Sequence, residues 1–300
     1  MKVFVTGATG FIGSAVVKEL LAAGHEVTGL ARSEEAAQKV AALGAKVHRG
    51  DITDTASLQS GAAAADGIIH TGFIHDFSRF AEMCALDGKA IDAMGEVLIG
   101  SQRPIIITGG TGVIVGDRVV TENDGVEDQS HPRAETERAV GRIVAKGVRA
   151  SVVRLPPLCH GTGDTHGFLP ILAGLAKEKG RSAMINGGTN IWPAVHRLDA
   201  ARLYRLALES NPAGGTRFHA VAEEDNAFKT VATTIGERIH LPVVSLNPEE
   251  AAAHFGWFAH FAKFNNRVSA DITKKTLGWN PVHPTLAEDM AADVYFPAKK

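Results

Sequence analysis

Six residues in, directly behind the apolar run Val3-Phe4-Val5, the chain reads Gly7-Ala8-Thr9-Gly10-Phe11-Ile12-Gly13, and no other stretch limits the fold as strongly. Glycines three apart, set between a strand pattern and the helical pattern Phe11 to Ala23, predict a tight strand-to-helix turn. Such a turn lets backbone N–H groups and the positive end of the helix approach a pyrophosphate that a Cβ would obstruct. The spacing is G-x-x-G-x-x-G rather than G-x-G-x-x-G, and a glycine pattern alone is weak. The strand–helix–strand context, closed by Glu26 to Ala31, is what favours dinucleotide binding over a tight turn of purely structural use.

The first half continues the alternation. Strands are expected over Lys2–Thr6, Glu26–Ala31, Ala45–Arg49, Gly67–His70, Ile105–Thr108 and Arg149–Arg154, and helical periodicity runs over Phe11–Ala23, Ser33–Leu43, Phe77–Gly100 and His131–Lys146. That order predicts right-handed β-α-β units around a parallel sheet. After Arg154 the regularity breaks at Pro156-Pro157, Gly161, Gly163, Gly187-Gly188, Pro193 and Gly214-Gly215, as expected of a smaller lobe. The division is therefore a nucleotide-binding domain over 1–155 and a mainly substrate-binding lobe over 156–300, with some segments of the latter returning to the sheet. In the long helix, Phe80, Met83, Cys84, Ala90, Ile91, Met94, Val97 and Leu98 recur at three- and four-residue steps. Their face either packs on the sheet or joins helix 131–146 in a homodimer interface, and both remain open. Phe255, Trp257, Phe258, Phe261 and Phe264 crowd one short stretch, either as the core of the lobe or as the wall of a pocket for a flat apolar substrate.

Charge and composition narrow the partners. A 300-residue chain can bury a substantial core, and a formal charge of −2 without a basic stripe speaks against nucleic acid and anionic membrane. No apolar run is long enough to cross a bilayer and no secretory leader opens the chain, so a cytoplasmic protein with a small-molecule partner is expected. The two cysteines, Cys84 and Cys159, suggest neither a disulfide framework nor a zinc site. Cys159-His160 could be read as nucleophile and base, but adjacent side chains point apart and no orienting group is evident. H-E-x-x-H, G-x-S-x-G and G-K-[ST] are absent, so no metal and no hydrolase chemistry is expected.

The end of the second strand discriminates between the two nicotinamide dinucleotides: an acid there bonds the ribose hydroxyls, and a base accommodates a 2′-phosphate. This chain has Leu30-Ala31-Arg32-Ser33, with Glu34-Glu35 too late for the acidic position. Arg32 can grip a phosphate bidentately and Ser33 can add a bond, so NADP(H) is preferred with NAD(H) as the second choice. The plainer alternative leaves Arg32 solvated and Ser33 as a helix cap. Asp51, in Arg49-Gly50-Asp51-Ile52, either receives the adenine amino group or caps the next helix.

Several ordered motifs together resemble the short-chain dehydrogenase/reductase superfamily, in its extended or atypical, NAD-dependent epimerase/dehydratase-like branch. They are Val5 to Gly13, Gly50-Asp51-Ile52-Thr53-Asp54, Ile68-Ile69-His70-Thr71-Gly72, Val153-Arg154-Leu155-Pro156-Pro157, Val195-His196-Arg197-Leu198-Asp199 and Leu277-Gly278-Trp279-Asn280-Pro281. The resemblance implies an α/β fold, a doubly wound parallel-sheet Rossmann domain with a small C-terminal substrate lobe. It further implies that Gly7, Thr9, Gly10, Phe11, Ile12, Gly13, Arg32, Ser33, Asp51 and Ile52 hold the cofactor. By position, Thr71, Gly72 and Phe73 would line it after the fourth strand, and Pro156 and Leu158 would pass near the nicotinamide.

The departure lies in the catalytic apparatus. Members of the family usually pair Tyr-x-x-x-Lys with an upstream Ser or Thr, the lysine lowering the tyrosine pKa for proton exchange with the substrate oxygen. The segment expected to hold the pair reads Gln129 to Glu137, and neither Tyr204 nor Tyr295 lies in it. Aligning on Glu137 puts Gln129 at the tyrosine position and Arg133 at the lysine position, while the catalytic Ser/Thr position falls on Gly110 beside Thr111. The candidates left are Thr108 and Thr111 as donors to a substrate oxygen, His131 as a proton source, and Arg133 on the nicotinamide ribose; each also has a structural reading. The expected activity is NADPH-dependent reduction of a ketone, on an apolar or aromatic small molecule, with hydride transfer as the chemistry of the cofactor. The alternatives are a non-catalytic NADP(H)-binding redox sensor and a nucleotide-sugar-type epimerase or dehydratase, the last disfavoured by the missing tyrosine. His196 and Asp199 read as braces of the small lobe, Asp199 as the start of a helix over Ala200–Glu209.

Overall fold

The computed structural model describes residues 1–114, 118–292 and 294–296. Its first half alternates β1 (Lys2–Thr6), α1 (Phe11–Ala22), β2 (Glu26–Ala31), α2 (Glu34–Ala42), β3 (Lys46–Arg49), α3 (Thr55–Ala63), β4 (Gly67–His70), α4 (Phe80–Glu96), β5 (Pro104–Gly110), α5 (Ala134–Ala145) and β6 (Arg149–Leu155). The second half runs β7 (Leu158–His160), α6 (Phe168–Lys179), β8 (Ser182–Ile185), β9 (Ala194–His196), α7 (Arg197–Glu209), β10 (Arg217–His219), α8 (Phe228–Ile239), β11 (Val243–Leu246), α9 (Pro248–Phe255), α10 (Ala259–Ala262), α11 (Asp271–Leu277) and α12 (Leu286–Ala291).

Seven parallel strands form the main sheet in the order β10-β6-β5-β4-β1-β2-β3. The strand order reverses between β1 and β4, and in a doubly wound sheet that switch point opens the crevice in which a dinucleotide lies. Side-chain alternation explains why both faces are covered. Val3, Val5 and Ile106 bury against α1, α2 and α7, whereas Phe4, Ile105 and Ile107 bury against α3, α4 and α5. β10 and α7 come from the second half of the chain, so the lobe is interleaved with the sheet. The lobe has its own core, in which Trp192, Phe228, Phe255 and Phe258 meet.

Three boundaries differ from the sequence expectation, each for a local reason. The helix expected over Phe77–Gly100 is a 3-10 turn at Phe77–Arg79, capped by Asp76, followed by α4 and ending at Glu96. The helix after β3 is capped by Asp54, which accepts from Ala56 and Ser57 N–H, not by Asp51. α7 starts at Arg197 because His196 Nδ1 accepts from Leu198 N–H at 3.2 Å, three residues before the expected start. Asp199 instead clasps the turn leading to α12, taking Val282 N–H, His283 N–H and His283 Nδ1. α4 and α5 pack together on one sheet face, and ion pairs Asp92–Arg142 and Glu96–Lys146 lie across their outer side.

Candidate active site

The glycine run forms the cradle at the switch point. Gly7 has φ +67°, the left-handed region that favours glycine, and a Cβ there would stand 2.7 Å from Gly72 N. A Cβ on Gly13 would stand 2.1 Å from Gly7 O. Gly10 differs: it caps α1 with φ −75°, and the nearest atom to an added Cβ is Gly7 O at 3.2 Å, so its outer side is open. The first turn of an α-helix leaves its N–H groups without intrahelical partners. With Thr9 and Gly10 exposed and Phe11 and Ile12 half-buried, the backbone fits the pyrophosphate of a dinucleotide. From α7, Arg197 reaches across with its guanidinium carbon 4.5 Å over the Phe11 ring and donates to Ser14 Oγ at 2.7 Å.

At the end of β2, Arg32 is exposed and makes no hydrogen bond or ion pair with another described residue. The neighbouring acids are engaged elsewhere, Glu34 with Arg49 and Glu35 with Lys39. Ser33 caps α2, its Oγ accepting from Ala36 N–H at 3.2 Å, which leaves its hydroxyl hydrogen available. Asp51 Oδ1 accepts from Thr53 N–H and Oγ1, and Ile52 beside it is half-buried. After β4, Thr71 Oγ1 donates to Thr6 O at 2.8 Å and Gly72 N–H donates to Thr6 Oγ1 at 3.2 Å, bringing Phe73 out toward α5. Pro156 is buried at the end of β6. Leu158 is 1% exposed, its side chain packed in the lobe core.

The four residues proposed for chemistry fare differently. Thr108 Oγ1 donates to His70 O at 2.7 Å and lies 2.7 Å from Tyr204 Oη. Its one hydrogen is therefore committed, and it has none for a substrate oxygen. Thr111 is fully buried and donates to Asn266 Oδ1 at 2.5 Å, which removes it from the cleft as a donor. His131 Nδ1 accepts from Arg133 N–H at 3.2 Å, which places its proton on Nε2, and the ring stands at 80° to that of Phe80 with centroids 6.3 Å apart. Burial pushes its pKa down, with His260 and Arg133 adding to the effect and Asp128 opposing it.

Arg133 is the most fixed of the four. It donates through Nη1 to Asp87 Oδ2 at 2.7 Å and through Nη2 to Thr108 O at 3.2 Å, with its guanidinium carbon 4.1 Å over the Phe73 ring. One turn later Glu137 takes Arg154 Nε and Nη2 at 2.7 and 2.8 Å, tying α5 to β6. Burial alone would raise the pKa of Asp87, but Arg133 together with bonds from His70 and Thr136 holds it at about 2.

Both tyrosines lack the activation that the missing pair supplies. Tyr204 is fully buried and burial pushes its pKa up. Tyr295, with Lys299 four positions on, carries the Tyr-x-x-x-Lys spacing at the carboxy-terminal end rather than on α5, and Lys299 lies outside the described residues. Its hydroxyl accepts from Gly161 N–H and donates to Asp164, and burial raises its pKa, the opposite of what proton transfer needs. Cys159 and His160 do not form a nucleophilic pair: burial pushes the thiol up, and His160 Nδ1 bonds Asp289 at 2.6 Å.

The aromatic stretch 255–264 divides between its two readings. Phe255 and Phe258 are core, but Trp257 is 53% exposed, stacked on Phe77 at 5.0 Å and 23°. Phe77 stacks in turn on Phe80 at 5.9 Å, and Phe80 meets Phe73 at 6.3 Å. A run of rings thus links the Arg133–Phe73 pair to the lobe. Neither Phe77 nor Asp87 stands out in the sequence as a site residue; the density of rings in Phe73-Ile74-His75-Asp76-Phe77 and a carboxylate on the apolar stripe of α4 are the signals that point to them.

Comparison with known proteins bears on the family and the fold. Residues 3–82 match the model of the NAD dependent epimerase/dehydratase family. The chain is 49% identical to uncharacterized protein C2A9.02 of Schizosaccharomyces pombe, over 99% of this chain and 100% of that one. It is 27% identical to the 4-hydroxy-2-methyl-3-oxo-4-farnesyl-3,4-dihydroquinoline-1-oxide ketoreductase of Stigmatella aurantiaca, over 85% and 80% of the two chains. In fold it is similar to the dTDP-glucose 4,6-dehydratase DesIV from Streptomyces venezuelae, solved with NAD and TYD bound, with a TM-score of 0.78 at 17% identity over 98% and 96% of the chains.

Proposed function

The chain belongs to the NAD dependent epimerase/dehydratase family, with NAD(P)-dependent oxidoreductases among its relatives, and from that premise we propose that it is an NADPH-dependent ketone reductase acting on an apolar or aromatic small molecule. The observation that carries the proposal is the placement of Arg133: a fixed guanidinium at the lysine position, flanked by a run of aromatic rings leading away from it. The ketoreductase relative, whose substrate name carries a quinoline ring, supports the same class.

The bound nicotinamide would supply the hydride. The residues of the chain orient the partners and stabilise developing charge. Gly7, Gly10 and Gly13 with the N–H groups of Phe11 and Ile12 would hold the pyrophosphate, and Arg32 the 2′-phosphate. Arg133 has more donors than its two bonds use and offers the rest to the nicotinamide ribose. His131, neutral with its hydrogen on Nε2, polarises the carbonyl oxygen as a hydrogen-bond donor. Protonation at Nδ1 would break its bond to Arg133 N–H, so the proton that completes the alcohol comes from water at the open edge of the cleft.

Reduction of aromatic and polycyclic ketones by NADPH, followed by cofactor absorbance against aliphatic ketones, tests the proposal; failure to oxidise NADPH with any carbonyl on the panel overturns it. Because His131 acts neutral, kcat/KM is expected to stay within about twofold between pH 7 and 9, above its depressed pKa. A steady loss across that window would mean that an imidazolium donates the proton instead. His131→Ala should lower kcat by about tenfold, the scale of one lost hydrogen bond to developing charge.

Trp257 provides a second test. Trp192 and Trp279 are at most 2% exposed, so a planar substrate that stacks on the ring array should quench the fluorescence of Trp257 alone. Trp257→Ala should raise KM for aromatic ketones about fivefold with little change in kcat, since stacking contributes about 1 kcal/mol. Equal KM values before and after substitution would separate the array from substrate binding.

A further inference from the structure

We infer that Asp87 is a positioning residue, fixing Arg133 for the nicotinamide ribose and tying that placement to the strand ends that carry the cofactor. The inference rests on the reductase reading only through the place of Arg133 beside the nicotinamide. Asp87 is 3% exposed on the inner face of α4, far from water for a carboxylate. A buried charge persists only when it is paired and hydrogen-bonded. Three groups meet it: Arg133 Nη1 at 2.7 Å and Thr136 Oγ1 at 2.6 Å on Oδ2, and His70 Nε2 at 3.1 Å on Oδ1.

Two consequences follow from that arrangement. First, Arg133 has a long flexible stem, and without an anchor its guanidinium would sample many rotamers; Asp87, the Thr108 carbonyl and the Phe73 ring reduce these to one. Second, the network continues past Asp87. With Nε2 of His70 against the carboxylate, Nδ1 on the other side of the ring is hydrogen-bonded to Thr6 Oγ1 at 2.7 Å. Thr6 Oγ1 in turn accepts from Gly72 N–H. The bonds therefore run from Gly72, at the cofactor crevice, through Thr6 and His70 to Asp87 and on to Arg133. Asp87 lies 46 positions from Arg133 in the chain, and the three side chains that bond it all come from outside its own helix.

A double-mutant cycle on NADPH affinity tests the inference, read from the fluorescence of bound NADPH with no ketone present. Asp87→Asn should weaken NADPH binding about tenfold in the native background and leave it unchanged within about twofold in Arg133→Met, because the carboxylate acts through the guanidinium. An equal loss in both backgrounds, or no loss in the first, overturns it. If Asp87→Asn does not fold, Thr136→Val, which removes one bond to the oxygen that Arg133 uses, takes its place in the same cycle with an expected loss of about threefold and the same criterion. Since no turnover is measured, an enzyme that reduces none of the ketones tried would defeat the reductase reading and leave this result standing.

Discussion

Gly13→Ala is expected to abolish NADPH binding and to lower the melting temperature of the cofactor-free protein, while Gly10→Ala is expected to abolish binding alone. The two positions are three residues apart in one turn and differ in what surrounds them. The new methyl on residue 13 would stand 2.1 Å from Gly7 O and 2.7 Å from Thr71 Oγ1, and neither neighbour is free to yield. Gly7 O already accepts from Gly10 N–H at 2.9 Å, and Thr71 Oγ1 is bonded to Thr6 O. The β1–α1 turn must open, and overpacking of this kind costs about 1–3 kcal/mol, or several degrees in a chain of this size. At Gly10 the backbone conformation suits alanine, and the closest atom to the methyl is at 3.2 Å. The fold tolerates that substitution, but the methyl projects where the pyrophosphate must approach the backbone. Thermal melts with and without NADPH distinguish the cases. A Gly10→Ala protein that binds NADPH as the native protein does would mean that the dinucleotide does not cross this turn.

The same turn shows why some of the fold was legible in the sequence. A glycine cradle, an apolar strand such as Ile105-Ile106-Ile107 and a cap such as Ser33 before Glu34-Glu35 are local, and their physics is complete within a few residues. Groups whose fate depends on distant partners were not legible. Thr108 looked available at a strand end, but its hydroxyl is engaged by His70 O and by Tyr204, 96 positions away on α7. Thr111 is closed off by Asn266, which is 155 positions away. The aromatic stretch 255–264 was visible as a density of rings, whereas the exposed stacking of Trp257 beside the buried Phe255 and Phe258 depends on Phe77, which a 3-10 turn delivers from the segment after β4. Asp87 is the instructive omission. A carboxylate on the apolar stripe of α4 signals a buried cation somewhere, and only the packing of α5 against α4 identifies it as Arg133.

Arg32→Ala is expected to weaken NADPH binding by about 10²-fold or more and to leave NADH binding nearly unchanged. The 2′-phosphate that distinguishes the two cofactors is a dianion at neutral pH, and a guanidinium can meet it with two parallel bonds. Hydrogen bonds to charged groups contribute about 1.5–3 kcal/mol each, so losing two of them amounts to at least two decades in affinity. What makes Arg32 suited to this is the fate of its neighbours. Glu34 and Glu35 follow within three residues and would neutralise it if they turned inward, but Arg49 and Lys39 draw them away. Arg32 thus remains an uncompensated cation at the end of β2, with the hydroxyl hydrogen of Ser33 beside it. Because the site is exposed, its attraction is screened by salt. Raising the ionic strength should weaken NADPH binding to the native protein and not to Arg32→Ala, which ties the loss to charge rather than to shape. Arg32→Asp should go further and invert the preference, since a carboxylate there repels the phosphate and accepts bonds from the ribose hydroxyls of NADH. Titration of both cofactors into the three proteins at low and high salt measures all of this at once, and native protein that binds NADH as tightly as NADPH would remove Arg32 from cofactor selection.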